Sequence, residues 1–281
     1  LVDAFNEMLD QTQQSLGRLE SARRSLIDRT LEVERINKEL ARSNLELASF
    51  ASVASHDLQE PLRKITAFGD RLTSLYGDAL GERGRDYLQR MHGAAARMQS
   101  LIDDLLAYSR ITTQAQPFAQ VSLAQVTKEV LSDLELRLEK TGTSVEVGDL
   151  PTIDADPLQM RQLFQNLLSN ALKFQRPGVA PRIVVQGRVL GGLDGEAGPA
   201  RCQIKIEDNG IGFDEKYLDR LFKPFQRLHH QGTYEGTGIG LAICQKIAER
   251  HGGRITARSA VGQGTCFAIE LPFHPPTGEA S

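Results

Sequence analysis

The stretch Gln162-Leu-Phe-Gln-Asn-Leu-Leu-Ser-Asn-Ala-Leu-Lys-Phe174 predicts an amphipathic helix that carries chemistry on one side. Its leucine and phenylalanine side chains form the apolar side, whereas Asn166, Asn170 and Lys173 share another face. Amide oxygens can ligate Mg²⁺ without adding negative charge beside a triphosphate, and a lysine offers a positive charge to phosphates. Two asparagines on one face are equally typical of an ordinary solvent-facing helix, so both interpretations stay open for this stretch alone.

A second stretch, Glu207-Asp-Asn-Gly-Ile-Gly-Phe-Asp214, places a carboxylate at the end of a predicted strand and two glycines directly after it. A buried Asp208 can accept a hydrogen bond from the exocyclic amine of adenine. Gly210 and Gly212 would let the backbone come close to a flat base. A tight Asn-Gly turn would have the same sequence, and this alternative also stays open.

The third stretch, Gly236-Thr-Gly-Ile-Gly-Leu-Ala-Ile243, is a glycine run that leads into a helix. Backbone amides at a helix start form a phosphate cradle when no side chain is in the way, which indicates Gly236, Gly238 and Gly240. The run lacks the Gly-Lys-Ser/Thr of a P-loop, and its spacing differs from that of a dinucleotide fingerprint. One glycine run is weak evidence, but three such stretches in this order predict a nucleotide site.

A fourth stretch, Ala54-Ser-His-Asp-Leu-Gln-Glu-Pro-Leu-Arg-Lys-Ile65, lies in a long helical pattern and leaves His56 off the apolar seam, facing outward. Pro61 predicts that the helix bends or loosens just after His56. Taken alone, the pair His56 and Asp57 is simplest to interpret as a solvated surface pair. The predicted nucleotide site instead makes His56 a candidate phosphate acceptor.

The region before His56 has the period of a coiled coil, because Leu19, Leu26, Val33, Leu40 and Leu47 are spaced by seven. A narrow apolar stripe on a lone helix has nothing to bury against, so we expect a parallel dimer. Glycines between residues 77 and 84 end one helix, and a second helix is expected near residues 85–110. Two antiparallel helices that continue from a dimeric coiled coil predict a four-helix bundle across two chains.

The carboxyl-terminal half alternates short strand patterns with helices and predicts a two-layer α+β sandwich with one mixed sheet. Asp156-Pro157 gives a well-formed helix start, with a capping aspartate and proline at the first helical position. A further helix is expected over residues 122–140 with Ser122 as its cap. Residues 114–118 are expected to form a linker and a first short strand, and the other expected strands cover residues 145–147, 152–154, 182–190, 202–207, 254–259 and 265–271.

Composition excludes some classes of function. The chain has 281 residues, a net charge of -3 and a pI near 6.1, without a long basic run, which argues against a nucleic-acid surface. Cys202, Cys244 and Cys266 are isolated and not at metal-ligand spacing, so we expect core fillers in a reducing cytosol. No apolar run approaches the roughly 18 residues of a membrane span. The chain opens on Leu1 in mid-helix pattern, so we expect a fragment of a longer protein.

With these motifs, residues 46–273 resemble a sensor histidine kinase, in which a dimerisation and histidine-phosphotransfer domain is joined to a Bergerat-type ATP-binding domain. The form His-Asp-Leu-Gln-Glu-Pro-Leu-Arg from His56 is similar to the branch that includes many phytochrome-like kinases. The resemblance extends to Leu221-Phe-Lys-Pro-Phe-Gln-Arg227, the family's Phe-rich box, and to Gly262-Gln-Gly-Thr265, its last glycine element.

The resemblance implies an ATP-dependent protein-histidine kinase that uses Mg²⁺. Asn170 is then the principal Mg²⁺ ligand, Asp208 anchors adenine, and Arg227 contacts the γ-phosphate. Residues 229–237 would form a mobile lid. The other implied nucleotide-binding residues are Asn166, Lys173, Gly210, Gly212, Gly236, Gly238, Gly240 and Thr265.

In the implied two-component reaction, a ring nitrogen of His56 attacks the γ-phosphorus in line, and Asp57 holds the proton of the other ring nitrogen. The phosphoryl group then passes to an aspartate in the receiver domain of a response regulator. A mobile linker near residues 111–117 is expected to bring ATP to His56. Glu60 stands where many relatives carry Thr, Asn or Gln, which disfavours strong phosphatase activity.

The expected organisation has a signalling coiled coil over residues 1–45, a helical hairpin over 46–113, the ATP-binding domain over 114–275 and a flexible tail over 276–281. The opening Leu1-Val-Asp-Ala-Phe-Asn-Glu-Met-Leu9 resembles the last helix of a HAMP signalling module. That resemblance implies a membrane-embedded sensor upstream and a full-length protein in the bacterial inner membrane, with this chain as its cytoplasmic fragment.

Two alternatives share the ATP fold. An ATP-driven clamp of the gyrase or mismatch-repair type would not need an exposed His-Asp pair on a dimeric bundle, and the chain lacks room for the transducer domain of those proteins. A degenerate kinase would bind ATP and scaffold partners without phosphotransfer. The intact asparagines, Asp208 and glycine runs speak against it, but the sequence leaves this alternative open.

Overall fold

The computed structural model describes residues 2–113, 115–191, 200–226 and 236–275. The chain divides into two compact units, residues 1–50 and residues 51–281. Long helices precede an α+β domain, which confirms the predicted fold class. No helix among the described residues is long and apolar enough to cross a membrane.

Helix α1 runs from Val2 to Tyr76 and continues through Pro61 without interruption. Within the first unit it presents an apolar row at seven-residue spacing that is more than half exposed: Leu19, Leu26, Val33 and Leu40. Among the described side chains of this unit none covers the row, which matches the seam predicted from the sequence. The side chain of Leu47, the last member of the predicted seam, lies outside the described residues.

Helix α2 spans Gly81–Thr113 and packs as a hairpin against the part of α1 that follows residue 50. The turn between the two helices ends at Gly81, the first residue of α2. Its φ of 60° suits a residue without a β-carbon. Gln59 Nε2 donates to Asp103 Oδ1 over 2.9 Å and fixes the register of the two helices. Their shared core is small and consists of Leu62, Ala95 and Ile102, with Leu106 packed against it.

The α+β domain holds the remaining elements. Its helices are α3 (Leu123–Asp133), α4 (Glu135–Thr141), α5 (Pro157–Lys173), α6 (Leu218–Leu221) and α7 (Gly240–Arg250), with a 3₁₀ turn at Glu215–Tyr217. Its strands are β1 (Ala119–Ser122), β2 (Ser144–Val147), β3 (Thr152–Ala155), β4 (Arg182–Leu190), β5 (Arg201–Asp208), β6 (Arg254–Ala260) and β7 (Gly264–Pro272).

The main sheet has the order β2-β4-β5-β7-β6, with β2 parallel to β4 and the other neighbours antiparallel. Strand β6 buries alternate residues, as expected of a sheet with one covered face. Helix α5 packs against both α3 and α7, and these helices form the covering layer. The strands β1 and β3 form a separate antiparallel pair.

Helix α5 is the centre of this core. The Asp156 side chain accepts hydrogen bonds from Leu158 N and Gln159 N, and Pro157 is the first helical residue, so the cap forms as predicted. Its apolar positions at three- and four-residue steps are fully or almost fully buried: Met160, Leu163, Phe164, Leu167, Leu168, Ala171 and Leu172. Burial of this face fixes the opposite, polar face of α5 relative to the sheet.

Two of the three cysteines serve this core as predicted, whereas Cys266 is only partly buried and lies outside the core cluster. Cys202 and Cys244 are completely buried and free. Burial raises the pKa of Cys202 to about 11 and that of Cys244 to about 12, so both stay protonated thiols at neutral pH.

The segment that connects α2 with β1 is anchored to the α+β domain, although a mobile linker was expected there. Gln159 Nε2 donates to Ile111 O over 2.8 Å, and Gln116 N donates to Asp156 Oδ2 over 2.8 Å. Arg250 bonds both Asp156 Oδ2 and Gln116 O. In this arrangement the end of α2 and the α+β domain are held together, so any movement between them must break these contacts.

Candidate functional site

A cavity of about 270 Å³ lies between α5, the end of β5 and the start of α7. This volume lies just below the range of roughly 300–1,000 Å³ that is typical of small-molecule sites. Nine of the predicted nucleotide-binding residues line it: Asn166, Asn170, Lys173, Asp208, Gly212, Gly236, Gly238, Gly240 and Thr265. Three stretches that are far apart in the sequence therefore meet in one place.

The polar face of α5 forms one wall of the cavity. Asn166 Nδ2 donates to Gly240 O over 3.2 Å and so ties α5 to the first residue of α7. Lys173 Nζ lies 4.4 Å from the centroid of the Phe174 ring. A β-carbon on Gly236 would lie 2.6 Å from Lys173 Nζ, so the lysine reaches the glycine run. Asn170 lies between Asn166 and Lys173 on the same face of α5 and also lines the cavity.

Asp208 ends β5 with its carboxylate at the cavity. Asp208 Oδ1 accepts hydrogen bonds from Gly210 N over 2.9 Å and from Thr265 N over 3.3 Å. Both bonds found among the described residues use Oδ1, which leaves Oδ2 for an amine in the cavity. Burial raises the pKa of Asp208 to about 6, with a smaller contribution from the charge of Glu207, although the two backbone N–H bonds act to lower it.

The two glycines after Asp208 permit close approach of backbone to backbone. A β-carbon on Gly210 would lie 2.2 Å from Phe174 O, and one on Gly212 would lie 2.0 Å from Ala260 O. Gly212 also has a φ of 58°, which L side chains rarely adopt. Gly210 does not line the cavity, so its contact with Phe174 explains its presence better than the predicted approach to a base.

The glycine run forms another part of the cavity wall. Gly236 and Gly238 have φ values of 140° and 79°, and Gly240 begins α7. Thr237 Oγ1 accepts a hydrogen bond from Ile239 N over 3.3 Å and holds the turn into the helix. A helix start that faces a cavity is a suitable place for phosphate oxygens.

Some predicted site residues lie outside the described residues, and other lining residues were not predicted. Arg227 and most of the expected lid over residues 229–237 fall in the segment from 227 to 235, outside the described residues. The cavity is also lined by Asp104 of α2 and by Thr237. Thr237 could have been found from its position inside the glycine run, whereas no spacing in the sequence indicates that α2 reaches this cavity.

His56 lies on α1 in the hairpin and is not among the described residues that line this cavity. Its side chain is 80% exposed, and His56 Nδ1 lies 3.3 Å from Asp57 Oδ1. His56 lines an open cavity of about 710 Å³, whose other lining residues include Glu60, Arg63 and His92. The histidine is therefore open to an approaching group, with one ring nitrogen beside a carboxylate.

Two family models match the chain. Residues 46–114 match the model described as "His Kinase A (phospho-acceptor) domain", and residues 155–275 match "Histidine kinase-, DNA gyrase B-, and HSP90-like ATPase". These are the two domains of a histidine kinase, in the predicted order. Residues 46–114 therefore belong to the His Kinase A family, and residues 155–275 belong to the histidine kinase-, DNA gyrase B- and HSP90-like ATPase family.

Curated relatives agree with the phytochrome-like resemblance. The phytochrome-like protein Cph1 of Synechocystis is 37% identical over 242 residues, which cover 86% of this chain and 31% of that protein. Cyanobacterial phytochrome A of Nostoc is 40% identical over 241 residues, which cover 86% of this chain and 30% of that protein. The chain therefore spans about a third of the length of these relatives.

Two solved structures share the fold. ShkA, solved at full length in complex with AMPPNP, matches with a TM-score of 0.61 and 24% identity, over 80% of this chain and 46% of that one. Acinetobacter baumannii histidine kinase AdeS matches with a TM-score of 0.51 and 20% identity, over 76% of this chain and 97% of that one. At these identities the likeness concerns the fold alone.

Proposed function

We propose that this chain binds Mg²⁺-ATP, transfers the γ-phosphoryl group to His56, and passes it to an aspartate of a response regulator. The observation that carries the proposal is the cavity in which Asn170, Lys173 and Asp208 meet the glycine run. That cavity belongs to a chain with an exposed His56 on a separate helical hairpin. An ATP-binding domain and a phosphate acceptor are the two parts that such a transfer needs.

The chemistry of the cavity residues fits Mg²⁺-ATP. The available Asp208 Oδ2 would accept a hydrogen bond from the adenine amine. The amide oxygen of Asn170 would ligate Mg²⁺, whose remaining ligands would be phosphate oxygens and water. Lys173 and the backbone N–H groups from Gly236 to Gly240 would contact the phosphates, and Asn166 would hold that backbone in place. When bound, Mg²⁺ neutralises charge on the phosphates.

The arrangement at His56 fits a nucleophile. An Nδ1–H that donates to Asp57 Oδ1 leaves Nε2 with its lone pair toward solvent. Asp57 would also stabilise the positive charge that develops on the ring as Nε2 bonds the γ-phosphorus, while the bond to the leaving ADP oxygen breaks. Because His56 does not line the nucleotide cavity, His56 and the bound nucleotide must come together before the phosphoryl group can be transferred.

Dimerisation is part of the proposal, because the hairpin leaves two apolar rows uncovered. On α1, Leu58, Ile65 and Leu72 are spaced by seven and between 43% and 50% exposed. On α2, Met91, Met98 and Leu105 have the same spacing and are also at the surface. A second copy of the hairpin would cover these rows and form a four-helix bundle. The exposed seam of the first unit supports a coiled coil in the same dimer.

The proposed organisation keeps residues 1–45 as signalling coiled coil, 46–113 as phosphoacceptor hairpin, 114–275 as ATP-binding domain and 276–281 as a tail. The open surface around His56 supports docking of a receiver domain there. The resemblance of the first residues to a HAMP helix supports an upstream sensor embedded in the bacterial inner membrane, in segments other than those described.

Incubation with γ-labelled ATP and Mg²⁺ tests the proposal. We expect protein-bound label that survives base and is lost in mild acid, as a phosphoramidate bond to histidine requires. Mixing the labelled protein with an isolated receiver domain should move the label to acid-stable, base-labile acyl phosphate. Nucleotide binding without label would contradict the proposal and favour the ATP-binding scaffold.

Asn170→Ala should lower the rate of autophosphorylation by about 100-fold or more, because it removes the proposed protein ligand of Mg²⁺. The readout is the initial labelling rate as a function of Mg²⁺ concentration, and the midpoint of that curve should move to higher concentration. Ser169→Ala removes a neighbouring polar group from the same cavity and serves as the matched control. An unchanged Mg²⁺ midpoint in Asn170→Ala would show that the asparagine is not the ligand.

A further inference from the structure

Helix α2 of the hairpin contributes a carboxylate to the nucleotide cavity. Asp104 lies on α2, lines the cavity, and accepts a hydrogen bond from Thr237 Oγ1. Thr237 belongs to the glycine run, between two of the residues proposed to contact phosphates. The hairpin and the nucleotide site are therefore joined at the place where the phosphates would bind.

This contact is part of a continuous docking face between α2 and the α+β domain. One helical turn after Asp104, Tyr108 packs against Lys246 of α7, whose Nζ lies 4.3 Å from the ring centroid and 3.3 Å from Tyr108 O. A further turn along, Ile111 is bonded through its carbonyl to Gln159. These contacts hold α2 against the α+β domain, so the helix itself places Asp104 at the cavity.

The charge of Asp104 is unfavourable at this position. Burial raises the pKa of Asp104 above its usual value, and the neighbouring Asp103 adds to the effect, although the bond from Thr237 lowers it. Phosphates in the same cavity would bring several more negative charges close to the carboxylate. Lys173 lines the cavity, and together with bound Mg²⁺ it would have to compensate the charge of the carboxylate as well as that of the phosphates.

We propose that Asp104 opposes binding of the polyphosphate part of the nucleotide while α2 is docked, so that ATP binding and release of α2 from the cavity are coupled. The proposal rests on the proposed nucleotide site. It makes Asp104 a determinant of nucleotide affinity that acts through charge, although it belongs to the phosphoacceptor hairpin. Reciprocally, any signal that strengthens docking of α2 lowers the affinity for ATP.

Calorimetric titration of the full chain with ATP, ADP and adenosine tests the charge effect. Asp104→Asn keeps the shape and an oxygen that can accept from Thr237, but it removes the negative charge. We expect ATP to bind about 5- to 20-fold more tightly, ADP to gain less, and adenosine to stay within about twofold of wild type. Asp103→Asn is the matched control, because Asp103 is exposed and bonds Gln59 and Gln99 within the hairpin. It should change no affinity more than about twofold.

A fluorescence titration tests the coupling. The chain has no tryptophan, so Tyr108→Trp places one reporter on the docking face. Saturating ATP should shift its emission to longer wavelength as the ring becomes exposed to water, and adenosine should produce a smaller shift.

Equal ATP affinity in wild type and Asp104→Asn, an equal gain for adenosine, or an emission unchanged by ATP would overturn the inference. These outcomes leave the proposed function standing as long as the wild-type chain binds ATP. A wild-type chain that binds no ATP would contradict the proposed function itself.

Discussion

His56→Ala should reduce phosphate incorporation by about 1,000-fold or more and leave ATP binding within about twofold of wild type. The substitution removes the proposed nucleophile, so no side-chain nitrogen remains at this position to form the bond to phosphorus. The imidazole is 80% exposed, and the alanine is compatible with the helix, so the fold should be unaffected. Labelling with γ-labelled ATP and calorimetric titration with ATP measure the two effects separately.

His274→Ala is the control for this experiment, because His274 is another exposed histidine, 83% accessible, but lies in the α+β domain beside Asp154. His274→Ala should incorporate labelled phosphate at the wild-type rate. Asp57→Asn should label more slowly, by about 10- to 100-fold, since the ring keeps its nucleophile but loses the charge that fixes its tautomer. Label retained in His56→Ala would identify another acceptor and remove the central claim.

The secondary structure was predictable where local chemistry decides it. The cap at Asp156 and Pro157 defined the start of α5, and Ser122 capped α3 as expected, because its hydroxyl accepts from Gln125 N. Strand β4 has the predicted bounds at Arg182–Leu190. The expected single helix over residues 122–140 is instead two helices separated at Leu134, since the backbone there leaves the helical region.

The meeting of the three proposed nucleotide-binding stretches in one cavity was predictable for a different reason. The three stretches each combine a residue type with a spacing that suits one part of a nucleotide, and the fold brings them to one cavity. Asp104 could not be found in this way, because its position depends on how α2 docks rather than on its neighbours in sequence. The anchored segment around Gln116 is a similar case, since Asp156 and Arg250 that hold it are distant in sequence.

Asp208→Asn should weaken ATP binding by about 50-fold or more and yet stabilise the nucleotide-free protein. The asparagine oxygen can still accept from Gly210 N and Thr265 N, but its NH₂ group would face the adenine amine, so two donors would meet. In the folded protein the pKa of Asp208 is raised from 3.8 to about 6, mainly because the carboxylate is buried. Holding that charge costs about 3 kcal/mol at neutral pH, part of which the neutral asparagine avoids.

The raised pKa of Asp208 determines how the stability difference between Asp208→Asn and wild type depends on pH. The unfolded chain releases the Asp208 proton near pH 3.8 and the folded chain near pH 6, so wild-type stability falls as pH rises between these values and is level above them. The advantage of Asp208→Asn should therefore be about 1–2 kcal/mol at pH 7.5 and vanish near pH 3.5. For the same reason, wild-type ATP affinity should fall as pH drops through about 6, because the protonated carboxyl is a poorer acceptor.

Urea unfolding at the two pH values measures the stability, and calorimetric titration measures ATP affinity. Glu207→Gln is the matched control, because Glu207 is the exposed neighbour on β5 and should change neither quantity appreciably. A destabilised Asp208→Asn at pH 7.5, or a stability difference independent of pH, would show that the carboxylate supports the fold. Selection for binding adenine would then no longer explain why a partly buried carboxylate with a raised pKa is kept at the end of β5.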